Sequence, residues 1–163
     1  MNRRLPFIVL MVCAASSPAA AQAPSPTAAS HDSIIAVVEQ FFAAMEARDT
    51  ATVRRLFLPN ARLARLEHLP DSSAMGSSSI EEFLRQLPGA RARLRERMWD
   101  PQVLEHKGLA VLWAPYDFRL DDRFSHCGVD AFTLLRTRDG WRIADVAYTV
   151  EPTGCPEGPP VDP

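Results

Sequence analysis

The sequence lacks the features that identify several large classes of protein. Its 163 residues carry 18 Lys and Arg against 20 Asp and Glu, a net charge of −2, so no basic surplus is available to displace counterions from nucleic acid. A P-loop, a dinucleotide-binding glycine fingerprint, a serine-nucleophile elbow and a helical zinc motif are all absent. We therefore expect neither a nucleic acid partner nor a cofactor.

Long apolar runs are also missing, and the one apolar stretch of note lies at the N-terminus. Arg3 and Arg4 give it a positive start, it ends near Ala15, and small residues up to Ala21 form a cleavage site. A membrane span needs ~20 apolar residues, more than this stretch provides. We predict a signal peptide over residues 1–21, a periplasmic or secreted protein, and no membrane attachment after cleavage.

Cysteine is scarce, and cleavage of the leader removes Cys13. The remaining Cys127 and Cys155 are an even count in an oxidising compartment. We predict that they form one disulfide, which pins a tail rich in Pro and Gly over residues 152–163; the alternatives are two free thiols or a metal pair. No metal site is expected, because other candidate ligands are scattered: His31, His68 and His106.

The segment after the leader predicts a helix. Residues 22–30 are expected to be a disordered linker, and a domain is expected over residues 31–151. From Ser30 the apolar residues recur with the period of a helix about fifteen residues long. This stripe consists of Ile34, Val37, Val38, Phe41, Phe42 and Met45.

Two shorter helices are expected next. Asp49 or Thr50 caps the first of them, and Leu58–Pro59 ends it. After a strand over residues 61–67 and a serine-rich loop over residues 71–79, the sequence Ser79-Ile80-Glu81-Glu82 is a capping box that begins the third helix.

Beyond Gly89 the apolar period changes to two, which is typical of strands. Asp121–Asp122 and Asp139–Gly140 are hairpin turns. Helices followed by a meander of antiparallel strands indicate an α+β fold, with the helices covering one face of the sheet. The predicted strands span residues 90–98, 102–105, 109–120, 124–137 and 141–150.

Several segments resemble a known superfamily. The helical opening, the segment 49–57 and the ending Asp139-Gly140-Trp141-Arg142-Ile143 resemble nuclear transport factor 2-like (NTF2-like) proteins. The segments 109–118 and 125–132 resemble, more narrowly, the SnoaL-like and lumazine-binding branch of that superfamily. This resemblance covers residues 33–149 and implies a cone-shaped, cystatin-like α+β roll, in which a strongly curved antiparallel sheet wraps the helices. It also implies a pocket at the open end of the cone and a protein that often forms a homodimer through the sheet.

The residues that line such a pocket follow from strand alternation. His126 and Asp130 share one face of their strand, and Tyr116 lies opposite His126 if no bulge intervenes. Asp130 would then orient His126 as an acid or base, while Tyr116 polarises a carbonyl oxygen. The alternative is that His126 and Asp130 form a buried structural hydrogen bond. Trp113 is either a floor of the ligand pocket or a packing residue.

Function cannot be read from the cone alone, because scytalone dehydratases, ketosteroid isomerases, limonene epoxide hydrolases and polyketide cyclases share it with non-enzymatic binders. We expect an exported domain that binds a small organic molecule in a pocket lined by Trp113, Tyr116, His126 and Asp130. One alternative is a cofactor-independent isomerase, dehydratase or cyclase with catalytic Tyr116, His126 and Asp130. The other is a structural or partner-binding module whose cone is filled by side chains.

Overall fold

A computed structural model gives the fold and describes residues 26–69 and 72–155. The expected signal peptide and residues 156–163 of the expected tail lie outside the described residues. The described α-helices are α1 (Pro26–Glu46), α2 (Thr50–Leu56) and α3 (Ile80–Gln86). Two strands separate α2 from α3, and the remaining strands follow α3. The strands are β1 (Phe57–Leu69), β2 (Ser72–Ser79), β3 (Leu94–Met98), β4 (Gln102–His106), β5 (Leu109–Leu120), β6 (Arg123–Thr137) and β7 (Gly140–Val150).

The helices begin largely where the sequence indicates. Asp49 caps α2 by accepting the Thr52 N–H at 3.0 Å, and Ser79 caps α3 by accepting the Glu82 N–H at 3.2 Å. Helix α1 begins at Pro26, inside the expected linker, because the fixed φ of proline suits the first turn of a helix. None of the described helices is both long enough and apolar enough to cross a bilayer.

Helix α2 ends earlier than expected. Its last residue is Leu56, and Pro59 lies inside β1 rather than at the end of the helix. Phe57 already has extended backbone angles, because it begins the pairing of β1 with β7 through Ile143. The change from helix to strand is therefore caused by the pairing of Phe57 with β7, and Pro59 lies beyond the point of change.

The serine-rich segment is a strand, and the prediction of a loop there is wrong. Strand β2 pairs antiparallel with β1 from Arg62↔Ser79 to Leu69↔Ser72. Its side chains are mostly exposed, so no apolar alternation marks the strand in the sequence. The ladder is made by backbone groups, which any non-proline residue supplies.

The seven strands form one sheet in the order β2-β1-β7-β6-β5-β3, with β4 also paired to β5. The pairings from β5 to β7 are antiparallel, as expected, but β1 and β7 are parallel, so the sheet is mixed. The strand expected over residues 90–98 begins only at Leu94. Every residue of the helical stripe of α1 is buried against the sheet except Val37, which is partly buried.

Two bulges reset the alternation of side chains along the sheet. On β6 the extra residue is Ser125, because Arg119 pairs with Phe124 and Phe118 pairs with His126. On β7 it is Ala144, between the pairs Leu134↔Ile143 and Thr133↔Asp145. A bulge reverses which face of the sheet the following residues occupy. Both bulges therefore decide which side chains reach the interior.

The C-terminal segment is attached to β6 by a covalent bond and a backbone pair. Cys127 and Cys155 form a disulfide with their Cα atoms 5.6 Å apart, so the predicted pairing is present. Cys127 and Glu151 exchange backbone hydrogen bonds of 3.0 and 2.8 Å. These contacts hold the residues after β7 against the outer face of the sheet.

Gly128 is required where β7 approaches β6. A Cβ atom built on Gly128 would lie 2.2 Å from the backbone oxygen of Thr149. The Thr149 side chain also accepts the Val129 N–H at 3.0 Å, so this part of β7 is fixed against β6 by its own hydrogen bond. No side chain fits at position 128 unless the backbone moves.

We expect Gly128→Ala to lower the free energy of unfolding by about 1–3 kcal/mol or more, because the added methyl group overlaps backbone rather than a flexible side chain. Gly89→Ala is the matched control, since its Cβ would meet nothing within 4 Å, and its stability should be unchanged or slightly higher. Urea unfolding of the three proteins measures the difference. Equal stability of Gly128→Ala and the wild type would contradict this packing.

Candidate functional site

A cavity of about 170 Å³ lies between the helices and the inner face of the sheet. Helices α1 and α3 supply Phe41, Met45 and Phe83, and the strands supply the rest of the wall. The lining is mainly apolar and aromatic. The strand residues of the lining are Leu63, Leu94, Glu96, Tyr116, Phe118, His126, Asp130, Phe132, Val146 and Tyr148.

Three of the four residues expected to line a pocket do so, namely Tyr116, His126 and Asp130. Trp113 does not, and that expectation is wrong. Its side chain is 51% exposed, whereas its neighbours Leu112 and Ala114 are fully buried. Adjacent strand residues point to opposite faces, so Trp113 lies on the outer face of the sheet.

Tyr116 is buried in the cavity wall with its hydroxyl already engaged. The hydroxyl donates a hydrogen bond to the backbone oxygen of Thr149 at 2.6 Å. Burial raises the pKa of Tyr116 above its usual value, and the charge of Asp130 adds to the effect. Tyr116 pairs across the sheet with Gly128 rather than with His126. The turn closed by Leu120↔Arg123 accounts for one residue of this difference and the Ser125 bulge for the other.

His126 has different partners from those expected. Its Nδ1 lies 3.1 Å from Ser125 Oγ, and its ring stacks on Phe118 at 5.0 Å and meets the edge of Tyr116 at 5.9 Å. Burial lowers the pKa of His126, which favours the neutral imidazole. Within the described residues His126 and Asp130 share no hydrogen bond, so Asp130 does not orient it.

Asp130 instead pairs with Glu96, a residue that the sequence reasoning missed. Asp130 is 2% exposed and its carboxyl group is hydrogen-bonded to that of Glu96. Burial raises the pKa of Asp130 to about 7. Burial and the nearby charge of Asp130 also raise the pKa of Glu96 well above its usual value. Two carboxyl groups in contact must share a proton, so this acid pair is partly protonated near neutral pH.

The acid pair retains hydrogen-bonding capacity. Asp130 Oδ2 is buried and has no hydrogen-bond partner among the described residues. A buried polar atom without a partner costs free energy. Because Asp130 lines the cavity, a carboxyl group with unused acceptor capacity stands in the cavity wall.

One signal in the sequence does indicate Glu96. It alternates with Leu94 and Met98 along β3, and both of these pack against the core. Period-two alternation therefore places the Glu96 carboxyl on the same face as apolar residues. A carboxylate in an otherwise apolar face is the kind of exception that marks a site.

No cluster of three or more potential metal ligands is present in the part of the chain that the structure describes. The arrangement thus offers acid–base groups and apolar walls. Its chemistry is hydrogen bonding to a small molecule or transfer of a proton near neutral pH.

Comparison with known proteins relates the chain to one family. The model of the family described as "Putative lumazine-binding" matches residues 29–149. None of the curated proteins matches the sequence significantly.

Solved structures share the fold at low sequence identity. An NTF2-like protein of unknown function from Silicibacter pomeroyi is 19% identical, with 77% of this chain and 98% of that chain covered and a TM-score of 0.56. An NTF2-like superfamily protein from Salmonella enterica is 16% identical, with 81% and 99% covered and a TM-score of 0.61. A protein from Streptomyces avermitilis described as a putative dehydratase of the NTF2-like family is 16% identical, with 77% and 98% covered and a TM-score of 0.58.

Replacing Asp130 with Asn should change how stability depends on pH. Because burial raises the pKa of Asp130 from 3.8 to about 7, the folded protein keeps a proton that the unfolded chain releases. Because of this proton, the free energy of unfolding of the wild type decreases as pH rises between those two pKa values. Asp130→Asn does not titrate there, so its stability relative to the wild type should increase, on the order of a few kcal/mol.

Urea unfolding of both proteins at several pH values measures this difference. Groups that do not contact Asp130 contribute alike to both proteins, whereas the loss of the Asp130 charge lowers the pKa of Glu96 in the variant and adds to the expected increase. Glu105→Gln is the control, because it removes an exposed carboxylate outside the cavity. Its difference from the wild type should not vary with pH. A flat difference curve for Asp130→Asn as well would show that the pKa of Asp130 is not raised.

Proposed function

The chain belongs to the family described as "Putative lumazine-binding", within the NTF2-like superfamily, and from that premise we propose that it binds a small, partly apolar organic molecule in its cavity. The observation that carries the proposal is an apolar cavity lined by the Asp130 carboxyl group, one oxygen of which is buried without a partner in the part of the chain that the structure describes. Ligand sites combine apolar walls with a few polar groups in this way.

The size of the cavity limits the ligand. Pockets for drug-sized molecules are ~300–1,000 Å³, and an engineered cavity of ~150 Å³ admits benzene. At about 170 Å³, this cavity suits one ring or a compact bicyclic heterocycle. A lumazine-type ring is one such molecule, and the description of the family makes it the first ligand to test.

A cofactor-independent isomerase, dehydratase or cyclase is the second candidate function. It is favoured by Asp130, whose pKa of about 7 suits a general acid or base. It is disfavoured by Tyr116, whose hydroxyl donates to Thr149 and is not free to polarise a carbonyl. The open cavity counts against a cone filled by side chains.

We propose that the mature protein functions in the periplasm or outside the cell. The disulfide between Cys127 and Cys155 supports this location, because such bonds persist in oxidising compartments.

Filling the cavity should abolish binding. Val146 lies in the wall and is buried, so Val146→Phe should occupy the space of the ligand at a cost of about 1–3 kcal/mol of stability. Nuclear magnetic resonance of the wild type with lumazine and small aromatic compounds should show shifts at the lining residues, which the variant loses.

Ala147→Val is the matched control. It adds volume to an exposed neighbour of Val146, on the outer face of the sheet, and should bind as the wild type does. Absence of binding by the whole panel to the wild type would overturn the proposed function. Turnover of a bound compound would instead favour the enzyme.

We further propose that the protein forms a homodimer through the outer face of the sheet. This face exposes Trp113 and, in β4, Leu104, which is 75% exposed. Val111 and Leu135 add further exposed apolar area. Contiguous exposed apolar residues on a soluble domain are typical of an interface, and a second copy is the commonest partner.

Trp113→Glu should convert the dimer to a monomer, because the charge would have to be buried in the apolar contact. Met75→Glu is the control, since Met75 is 85% exposed but lies on the edge strand β2. Light scattering at micromolar concentration measures the mass of each protein. A monomeric wild type would contradict the proposal.

A further inference from the structure

The cavity contains acids but no permanent cation. Its lining includes two carboxyl groups, Glu96 and Asp130, while no Lys or Arg is among the described residues that line it. The one basic group in the lining, His126, has a pKa lowered by burial. Nothing in the wall therefore supplies the positive charge that buried carboxylates normally pair with.

We propose that the natural ligand is a flat organic cation whose protonated nitrogen binds the Glu96–Asp130 acid pair. This inference rests on the proposed function, because it names the class of the molecule in the same cavity. A nitrogen with two N–H donors, as in an amidinium or a protonated aminoheterocycle, meets both carboxyl groups at once.

The geometry of the acid pair supports a donor rather than an acceptor. Asp130 Oδ2 has no hydrogen-bond partner among the described residues, although the residue is almost completely buried. The hydroxyl of Tyr116, which would otherwise serve an acceptor ligand, donates to the Thr149 backbone. What the acid pair lacks is an N–H group.

The walls of the cavity suit the body of a flat cation. Aromatic rings attract cations through the negative charge of their faces, most strongly when water is excluded. The rings that line the cavity come from both helices and strands. They are those of Phe41, Phe83, Tyr116, Phe118, Phe132 and Tyr148.

The charged groups around the acid pair determine the sign of the pH dependence. The charge of Asp117 adds to the rise in the pKa of Glu96. Tyr116 and Tyr148 face the pair from β5 and β7 and are neutral, since burial raises the pKa of each.

More distant charges affect the neighbours of the pair. On β1, Glu67 raises and Arg65 lowers the pKa of His126, and Glu151 raises the pKa of Tyr116. The described parts of α1 and α3 contribute only apolar residues to the lining.

With both carboxyl groups protonated the pair is neutral, and after loss of the Asp130 proton it carries one negative charge. When a cation binds near neutral pH, the Asp130 proton passes to solvent, Glu96 keeps its proton, and the ligand balances the single negative charge of the pair. Affinity for a cation must therefore increase as pH rises through the pKa of Asp130, about 7. A neutral ligand that accepts a hydrogen bond needs the Asp130 proton, so its affinity must decrease over the same range.

Benzamidinium and benzamide test this difference, because they share one ring and one shape but differ in charge. By calorimetry at a pH of about 8, benzamidinium should bind at least about tenfold more tightly than benzamide. Its affinity should rise between a pH of about 5.5 and about 8. Titrations near neutral pH in buffers of different ionisation enthalpy should show release of up to one proton per benzamidinium bound.

Asp130→Asn and Glu96→Gln should each weaken benzamidinium binding about tenfold or more and reduce its pH dependence, while benzamide binding changes little. The exposed-carboxylate control Glu105→Gln should match the wild type. Two variants are used so that poor folding of one leaves the other as the test.

Three results would overturn the inference. The first is that benzamide binds as tightly as benzamidinium or more tightly, and the second is that benzamidinium affinity falls with rising pH. The third result is binding of lumazine or benzamide without any binding of benzamidinium. That result leaves the proposed function standing, whereas failure of every compound to bind removes both.

Discussion

The extra residue Ser125 in β6 sets the register on which the interior of the protein depends. Beyond it, Phe118 pairs with His126, Tyr116 with Gly128 and Ala114 with Asp130. Opposite residues in an antiparallel pair share a face, so one bulge brings the ring of Tyr116, the imidazole and the Asp130 carboxyl to the inner side together. If Ser125 were paired in the ladder rather than bulged, the register set by Arg119↔Phe124 would continue and Tyr116 would pair with Cys127 instead. The disulfide and the cavity therefore occupy opposite faces because of this bulge.

The acid pair is a feature of the interior that opposes folding. Two carboxyl groups in an apolar wall lose hydration, and their proximity keeps a proton on the pair. Apolar residues of the same size would remove this cost, as they often do for buried charged groups. Natural proteins tolerate such local costs chiefly at functional sites. The two carboxyl groups that cost folding free energy, Glu96 and Asp130, are thus also groups that line the cavity.

Much of the fold could be predicted from the sequence, but the site could be predicted only in part. The caps at Asp49 and Ser79 and the alternation along β5 depend on local chemistry that each segment carries itself. Strand β2 could not be recognised, because its pairing uses backbone groups and leaves its serines exposed. The partner expected for Tyr116 was wrong because the turn closed by Leu120↔Arg123 shifts the register by one residue and the Ser125 bulge, which no glycine indicates, shifts it by another. The wrong expectation for Trp113 was avoidable, because Trp113 and Tyr116 are an odd number of residues apart on one strand and therefore lie on opposite faces of the sheet.

The donors and acceptors in the cavity also bear on the choice between binding and catalysis. A catalyst that stabilises an oxyanion needs a donor aimed at the oxygen where charge develops. Here the hydroxyl of Tyr116 is held by Thr149, whose backbone is in turn placed by contact with Gly128 and the hydrogen bond to Val129. A Tyr116 hydroxyl turned toward a ligand would leave the partly buried Thr149 oxygen without its donor, which costs free energy. Asp130, by contrast, lines the cavity with a carboxyl group, one oxygen of which has no partner among the described residues. A site with its acceptor free and its principal donor engaged is organised to hold a donor molecule in place.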